Sequence, residues 1–377
     1  MFVRKFFAEN WPVSECDIDV WIVSDYDRNN EKINVQGDYF RMSKHMKKFS
    51  LVIAVALLAL MVAACGNGKS GSGDKKTYTI AISQILEHPS LDATRQGFLD
   101  ALKDAGIVEG DNLKVDYHNA QNDSSNNLSI AKEIASKKYD LVLGIATPSA
   151  SAVANEVKDM PVLFAAVSDP KDVMENPEAP EGNVTGASDT NLMATEQIMD
   201  FIAEFFPDTK NVGLIINEGE PNAVFMAENA EKALQKHGIS LIRAAVVNSS
   251  EVKQAAQSLV GRADVFFITL DNTVVDAVDA IVQVANDNDI PFFSSDRDSV
   301  ERGAFATVGF KYYDHGYEAG LMAVEILKNG KKPADLPVIY PEKVDFILNL
   351  SAAKEQGVTV TDAMKAKVQD PENNIIE

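Results

Sequence analysis

Basic residues are scarce in this sequence relative to acidic ones. Its 377 residues include 35 lysines and arginines against 56 aspartates and glutamates, which leaves a formal net charge of -21. A surface of this sign repels the phosphate backbone of nucleic acids, and no basic patch in the sequence offsets it. Nucleic acid is therefore not expected as a partner.

Cysteine and histidine are scarce as well. The only cysteines are Cys16 and Cys65, and both precede the part of the chain predicted to fold, so no disulfide framework is expected. The five histidines show neither HExxH spacing nor a cluster with cysteine, which predicts no metal site and no cofactor. A G-x-S-x-G nucleophile elbow is also missing. These absences argue against an enzyme, although a hydrolase site assembled in space from distant residues stays open.

A membrane-spanning run is lacking too, because the apolar stretch from Phe49 to Val62 is shorter than the roughly 20 residues that a spanning helix needs. A basic segment with Lys44, Lys47 and Lys48 precedes this stretch, and Val62-Ala63-Ala64-Cys65 ends it. The pattern predicts a lipoprotein signal peptide over residues 42–64, since its end resembles a bacterial lipobox. Cys65 would then be the lipidated first residue, and the Gly/Ser-rich residues 65–76 a flexible tether.

Residues 1–41 precede this predicted signal peptide and show no amphipathic period. Codons for Gln36-Gly37-Asp38 can contain a ribosome-binding sequence just upstream of Met42. Our hypothesis is that residues 1–41 are a mis-annotated extension, translated from leader RNA. The alternative is a genuine cytoplasmic extension.

From Thr77 onward, Val- and Ile-rich runs alternate with helical patterns, as in βαβ units with parallel sheets. The length, with 46% hydrophobic residues, is too great for one core. The sequence therefore predicts an α/β fold of two doubly wound lobes, with the chain crossing between them near Ser188, Ala306 and Tyr340. The predicted lobes are residues 77–188 with 308–340, and residues 189–307 with 341–377.

Polar residues collect where the predicted strands end, which is where open α/β sheets bind ligands. In the first lobe these residues are Gln84, His88, Thr147, Ser149, Ser168 and Asp169. In the second lobe they are Glu220, Asn222, Asp271, Asn272 and Asp296. All of them are expected to face one cleft.

Each of these clusters also has a structural explanation. Thr147-Pro148-Ser149 is a good helix start, although the same hydroxyls and amides suit a small carboxylate. Asp271 is either a helix cap or the partner of a ligand ammonium. Asp169 and Asp296 are also typical turn formers, and His88 is an ordinary loop histidine. Aromatic stacking on a ligand and core packing are both open for Phe225, Phe292 and Phe310.

Several motifs together resemble a known family: Cys65, the run from Ile85 to Asp92, Val167-Ser168-Asp169-Pro170, the run from Val184 to Asp189, and the Asp271-Asn272 turn. The chain resembles the ABC-transporter substrate-binding lipoproteins of the tryptophan/tyrosine type, within the type I periplasmic-binding-protein fold. The resemblance covers about residues 77–370. It implies two Rossmann-like lobes with three crossovers that close on one solute by hinge motion.

The resemblance also implies a function. It suggests an importer component that binds an amino acid, with an aromatic one such as tryptophan or tyrosine as the best guess, and that delivers it to permease and ATPase subunits. Thr147 and Ser149 would hold the carboxylate, Asp271 the ammonium, and Phe310 would form part of an apolar wall. The expected protein is a monomer, anchored through Cys65 outside the cytoplasmic membrane of a Gram-positive cell. The alternative is a lipid-anchored sensor that presents its ligand to a membrane receptor.

Overall fold

Residues 76–377 are described by a computed structural model of the chain. The predicted extension, signal peptide and Cys65, with nearly all of the tether, lie outside the described residues. Among residues 76–377 there is no helix both long and apolar enough to cross a membrane.

The first sheet has five strands, all parallel, in the order β2-β1-β3-β4-β5. Its central strands are buried along their whole length, which explains why their sequences are continuous apolar runs instead of alternating ones. The strands are β1 (Tyr78–Gln84), β2 (Leu113–Asn119), β3 (Leu141–Ile145), β4 (Val162–Val167) and β5 (Val184–Ser188).

The second sheet has seven strands in the order β12-β11-β10-β9-β8-β6-β7. The pairing of β10 with β11 is antiparallel, and the other pairings are parallel. The strands are β6 (Asn211–Ile216), β7 (Ser240–Ala245), β8 (Val265–Ile268), β9 (Phe292–Ser294), β10 (Ala306–Gly309), β11 (Asp345–Asn349) and β12 (Ile375–Ile376).

Helices cover both sheets. Those that pack with the first sheet are α1 (Pro89–Asp104), α2 (Ser124–Ala135), α3 (Thr147–Glu156) and α10 (Tyr312–Leu327). The remaining helices, from the second half of the chain, are α4 (Leu192–Phe205), α5 (Pro221–Gln235), α6 (Val252–Leu259), α7 (Asn272–Asp276), α8 (Val278–Asp287), α9 (Arg297–Glu301), α11 (Leu350–Glu355), α12 (Asp362–Lys365) and α13 (Pro371–Asn374).

The element order agrees with the sequence prediction, with local differences. The helical segment that follows β8 is two helices, α7 and α8, which meet at Ala277. Strand β10, expected to return to the first lobe, lies in the second sheet, so the chain crosses back after Gly309. The short helices α9, α11 and α13 were not predicted, because four to six residues are too few to display a helical period.

Helices α1 and α10 cross at backbone contact, and glycine makes this approach feasible. A Cβ atom added to Gly316 would overlap the Thr94 carbonyl oxygen, and one added to Gly97 would overlap the Tyr313 carbonyl oxygen. Farther along, a Cβ on Gly320 would lie 2.6 Å from the Phe98 carbonyl oxygen. This crossing joins the helix that follows β1 to the helix by which the chain returns from the second sheet.

We expect Gly316→Ala to destabilise the protein although alanine is the better helix former. The added methyl group must push two helix backbones apart, and overpacking of this kind costs about 2 kcal/mol or more of unfolding free energy. Urea denaturation followed by circular dichroism measures the change. Leu321→Ala, an exposed position of the same helix, is the control and should have little effect. Equal stability of Gly316→Ala and the wild type would show that the helices are not in contact here.

Candidate functional site

The carboxyl ends of the two sheets surround a small, largely buried cavity. Residues from both sheets and from their connecting segments form its walls, so it lies between the two lobes. The lining residues are His88, Leu91, Ala166, Ser168, Asp189, Asn222, Leu270, Asn272, Val275, Asp296 and Tyr312.

Asp189 supplies one carboxylate to this cavity. It follows β5 directly, where its amide donates to the Val167 carbonyl oxygen and the Ser168 hydroxyl donates to its Oδ1 at 3.0 Å. Burial, together with the charge of Asp296, raises the pKa of Asp189 to about 7, although the Ser168 hydrogen bond opposes the shift. An ionised Asp189 therefore requires a positive partner.

Asp296 supplies a second carboxylate from the opposite side. Its Oδ2 accepts from the Ser299 amide at 2.7 Å and from the Ser299 hydroxyl at 2.6 Å, which caps α9. Its Oδ1 accepts from the Ser90 hydroxyl of α1 at 2.6 Å. The expected turn role and the expected cavity role therefore coincide at Asp296, which also lines the cavity.

Two further acceptor atoms at the cavity are buried and have no hydrogen-bond partner among the described residues, the Asn222 Oδ1 and the His88 Nδ1. The Asn222 Nδ2 donates to the Leu270 carbonyl oxygen at 2.7 Å, which fixes Oδ1 as the free atom. Burial lowers the pKa of His88. Its Nε2 faces the Asn272 Oδ1 at 3.5 Å, and since that oxygen is an acceptor, the neutral ring leaves Nδ1 as an acceptor.

The cavity wall is therefore rich in acceptors and negative charge. Among the residues that line it there is no lysine or arginine. Two carboxylates, an amide oxygen and a ring nitrogen match a group with several N–H donors and a positive charge, which describes a primary ammonium.

Glu220 builds this site from behind the cavity wall. Its carboxylate accepts from the Asn272 and Thr273 amides at 3.0 and 2.9 Å, which caps α7. It also accepts from the Thr273 hydroxyl at 2.7 Å and from the Asn272 Nδ2 at 2.6 Å. Glu220 thereby orients Asn272 towards His88, but it does not itself line the cavity.

Asp271 lies beside Glu220, and its carboxylate is directed at backbone amides. It accepts from the Asn217 amide at 2.5 Å and from the Val274 amide at 3.1 Å, the second contact being a helix cap. Burial, together with the Glu220 charge, raises the pKa of Asp271 well above its ordinary value. Asp271 is absent from the described cavity wall, so its geometry is that of the helix cap and the acids that face the cavity are Asp189 and Asp296.

Five other predicted site residues lie outside the cavity wall. Gln84 is held by Arg95 and by Asp92, and Asp169 caps a short turn. The Thr147 hydroxyl accepts from the Ser168 amide at 3.4 Å, and the Ser149 hydroxyl donates to Asn127 at 2.9 Å.

Phe310 is the fifth predicted site residue outside the cavity wall. Its ring centroid lies 5.0 Å from that of Tyr312 and 5.4 Å from that of His315. Phe292 is fully buried in the core of the second sheet.

Sequence reasoning missed Asp189 and Tyr312 as cavity residues. Asp189 directly follows β5 and so stands at a strand end, the same position from which the other site residues were predicted. Tyr312 is the first residue of α10, at the point where the chain re-enters the first lobe.

Hydrogen bonds join the two lobes across the cavity entrance. Besides Ser90 with Asp296, the Asn122 Nδ2 donates to the Thr273 hydroxyl at 2.9 Å. A third contact between the lobes pairs the His88 Nε2 with the Asn272 Oδ1 at 3.5 Å. The lobes are therefore in contact, in a closed arrangement.

No group of His, Cys, Asp or Glu within residues 76–377 has the arrangement needed to hold a metal ion. The acidic residues of the site are distributed around the cavity wall and among helix caps instead. The chemistry available at the site is recognition of a small cationic or zwitterionic molecule.

We expect Glu220→Gln to destabilise the second lobe by about 2–4 kcal/mol. The buried Glu220 carboxylate accepts from five donors, the fifth being the Asn222 Nδ2, whereas a glutamine amide offers only one acceptor oxygen. Guanidinium denaturation measures the loss. Glu218→Gln changes an acid two residues away whose side chain is 56% exposed, and it is the matched control. Equal effects of the two substitutions would refute the structural role of Glu220.

The chain matches a sequence model for ABC transporter substrate binding proteins over residues 79–370. It is 38% identical over 323 residues to a tyrosine-binding protein of Clostridioides difficile, an alignment that covers 83% of this chain and 93% of the relative.

Two solved structures are similar along their whole length. A domain of a Streptococcus pneumonia protein in complex with L-Trp has a TM-score of 0.74 at 29% identity, with 80% of this chain and 100% of that chain covered. A ligand-free, open substrate binding protein with adhesive properties from Clostridium difficile has a TM-score of 0.59 at 36% identity, with 80% and 98% covered.

Proposed function

Since the chain belongs to the ABC transporter substrate-binding proteins and has their type I periplasmic-binding fold of two lobes, we propose that it binds an aromatic amino acid, tyrosine or tryptophan, for an importer. As the sequence predicted, this is a family of solute-binding proteins and not of enzymes. Binding occurs in the buried cavity, and permease and ATPase subunits receive the solute. The aromatic ligand is supported by the tyrosine-binding and L-Trp-bound relatives.

The two lobes of the proposal follow the two sheets. The first lobe comprises residues 77–188 with 308–340, and the second comprises residues 189–307 with 341–377. The sheet membership of β10 supports one adjustment, which moves the second crossing to the residues after Gly309. The third crossing follows Ile339, which still bridges to Ala187 of the first sheet.

The ammonium group of the ligand is the part that the cavity specifies most clearly. In our proposal it lies between Asp189 and Asp296 and donates its third hydrogen to Asn222. The observation that carries this assignment is the pair of buried carboxylates that face a space lined by no lysine or arginine. Charge-assisted hydrogen bonds to an ammonium would stabilise the ionised form of both acids.

The carboxylate of the ligand is assigned to the first turn of α1. Helix α1 begins at the cavity wall, where His88 and Leu91 both line the space. The His88 side chain makes no capping hydrogen bond, so the Ser90 and Leu91 amides remain available to an anion. This assignment replaces the expected role of Thr147 and Ser149, whose hydroxyls face Ser168 and Asn127.

Hinge closure couples binding to transport in this proposal. The chain is more similar in structure to the L-Trp complex than to the open, ligand-free protein, although its sequence is less similar to the former. A more open placement of the two lobes in the ligand-free protein explains why the structure with the higher sequence identity has the lower structural similarity. Ligand contacts made by both lobes at once then stabilise the closed state over the open one.

We expect Asp189→Asn to weaken L-tyrosine binding about 10- to 100-fold at pH 8, because a charge-assisted contact worth about 1.5–3 kcal/mol is lost. The wild-type affinity should also fall as the pH drops below about 7, since the raised pKa of Asp189 requires a proton to leave before an ammonium can bind. The variant should lose this pH dependence.

Isothermal titration calorimetry between pH 5.5 and 8 measures both effects. Asp159→Asn, which changes an exposed acid, is the control. If the Asp189→Asn affinity still followed pH as the wild type does, the ammonium would not be bound by Asp189.

Membrane anchoring through Cys65 is the remaining part of the proposal. Family members act outside the cytoplasm, and a lipid on Cys65 would hold this protein at the outer face of a Gram-positive membrane as a monomer on a flexible tether. The Clostridioides relative is consistent with such a source.

We expect Cys65→Ser to abolish incorporation of radiolabelled palmitate and to release the protein into the culture medium. Metabolic labelling followed by immunoprecipitation measures both. Ser70→Ala, which changes the tether but keeps Cys65, should leave labelling unchanged. Labelling that persisted in Cys65→Ser would place the lipid elsewhere.

A further inference from the structure

A second small, largely buried cavity adjoins the first. It lies at the base of the cleft, where the three chain crossings meet, because Asn191, Gly309 and Val344 all line it. Most of its wall is apolar, formed by Ala194, Ile198, Met226, Val308 and Phe310.

The two cavities share part of their walls. Asp189 and Leu270 line both of them. Asn222 faces the first cavity and Met226, one helical turn later on α5, faces the second. Likewise, Asp296 lines the first cavity and its neighbour Ser295 lines the second. A molecule held at Asp189 is therefore positioned to extend into the second cavity.

Two hydroxyl groups in the second cavity have no hydrogen-bond partner among the described residues. They are the Thr195 Oγ1 and the Ser295 Oγ, and both oxygen atoms are buried. Thr195 as a whole is 3% exposed. Buried hydroxyls without partners are costly, so two of them in one otherwise apolar cavity indicate a polar atom of a ligand.

We propose that this second cavity is the specificity pocket for the ligand side chain, and that Thr195 and Ser295 bind a polar atom at the far end of an aromatic ring. The proposal rests on the function proposed above. The phenol of tyrosine both donates and accepts a hydrogen bond and so matches two hydroxyls, while the indole of tryptophan offers one N–H. Phenylalanine fills the same space and leaves both hydroxyls unsatisfied.

The position of the pocket also links the ligand side chain to closure of the lobes. The ring contacts residues of all three crossings, including Phe310 after β10 and Val344 before β11. A ring in this pocket fills the space around which the lobes rotate, so side-chain recognition and closure depend on the same contacts.

The test compares L-tyrosine with L-phenylalanine by isothermal titration calorimetry on the full chain, unfolded and refolded to remove bound solute. The wild type should bind tyrosine at least about tenfold more tightly than phenylalanine, since a site built for a hydroxyl rejects the analogue that lacks it. Thr195→Val and Ser295→Ala should each reduce tyrosine affinity several-fold and leave phenylalanine affinity unchanged or higher. Thr195→Ser should retain most of the preference.

Thr307→Val is the matched control. Its hydroxyl is also buried without a partner among residues 76–377, but Thr307 lines neither cavity, so the preference for tyrosine should persist. Thermal unfolding verifies that each variant is folded.

Equal binding of tyrosine and phenylalanine by the wild type, or an equal loss for both ligands in Thr195→Val and Ser295→Ala, would overturn the specificity pocket while the proposed function stands. Failure of the wild type to bind tyrosine, tryptophan or phenylalanine would overturn the proposed function and the pocket together.

Discussion

Two carboxylates buried in one cavity are the constraint on which the rest of the site depends. Asp189 and Asp296 repel each other, and burial penalises the charge of Asp189. A cation bound between them relieves both costs, because charge-assisted hydrogen bonds replace the lost hydration. The free energy released on binding is therefore available to hold the lobes together. Affinity and closure have a common electrostatic origin in this account.

The surrounding structure holds these acids through hydroxyl and amide donors, but no lysine or arginine lines the cavity beside them. Glu220 and Asp271 resemble ligand-binding acids in the sequence, yet their oxygens satisfy the amides of α7 and its neighbours. Their role is to fix the first turns of the helices that carry Asn222 and Asn272. The site consists of an inner set of acceptors that face the cavity and an outer set that holds them in place.

The fold could be predicted from the sequence because the central strands are continuous apolar runs and the longer helices show their period. The site could be predicted only in part, since several strand ends carry capping residues that resemble ligand contacts. Asp296 is both a cap and a cavity residue, whereas Asp271 has the geometry of a cap. The difference depends on which way a side chain turns at the end of a strand, and that is decided by distant residues such as Ser90 and Glu220.

The ligand contacts proposed here extend from α1 to the three crossings, so one bound solute contacts both lobes and the hinge segments. A crystal structure of the protein with L-tyrosine tests this arrangement most directly. The account predicts the ammonium nitrogen at about 3 Å from carboxylate oxygens of both Asp189 and Asp296. It predicts the carboxylate at the first turn of α1. An ammonium bound elsewhere, with Asp189 and Asp296 both facing away from the ligand, would contradict it.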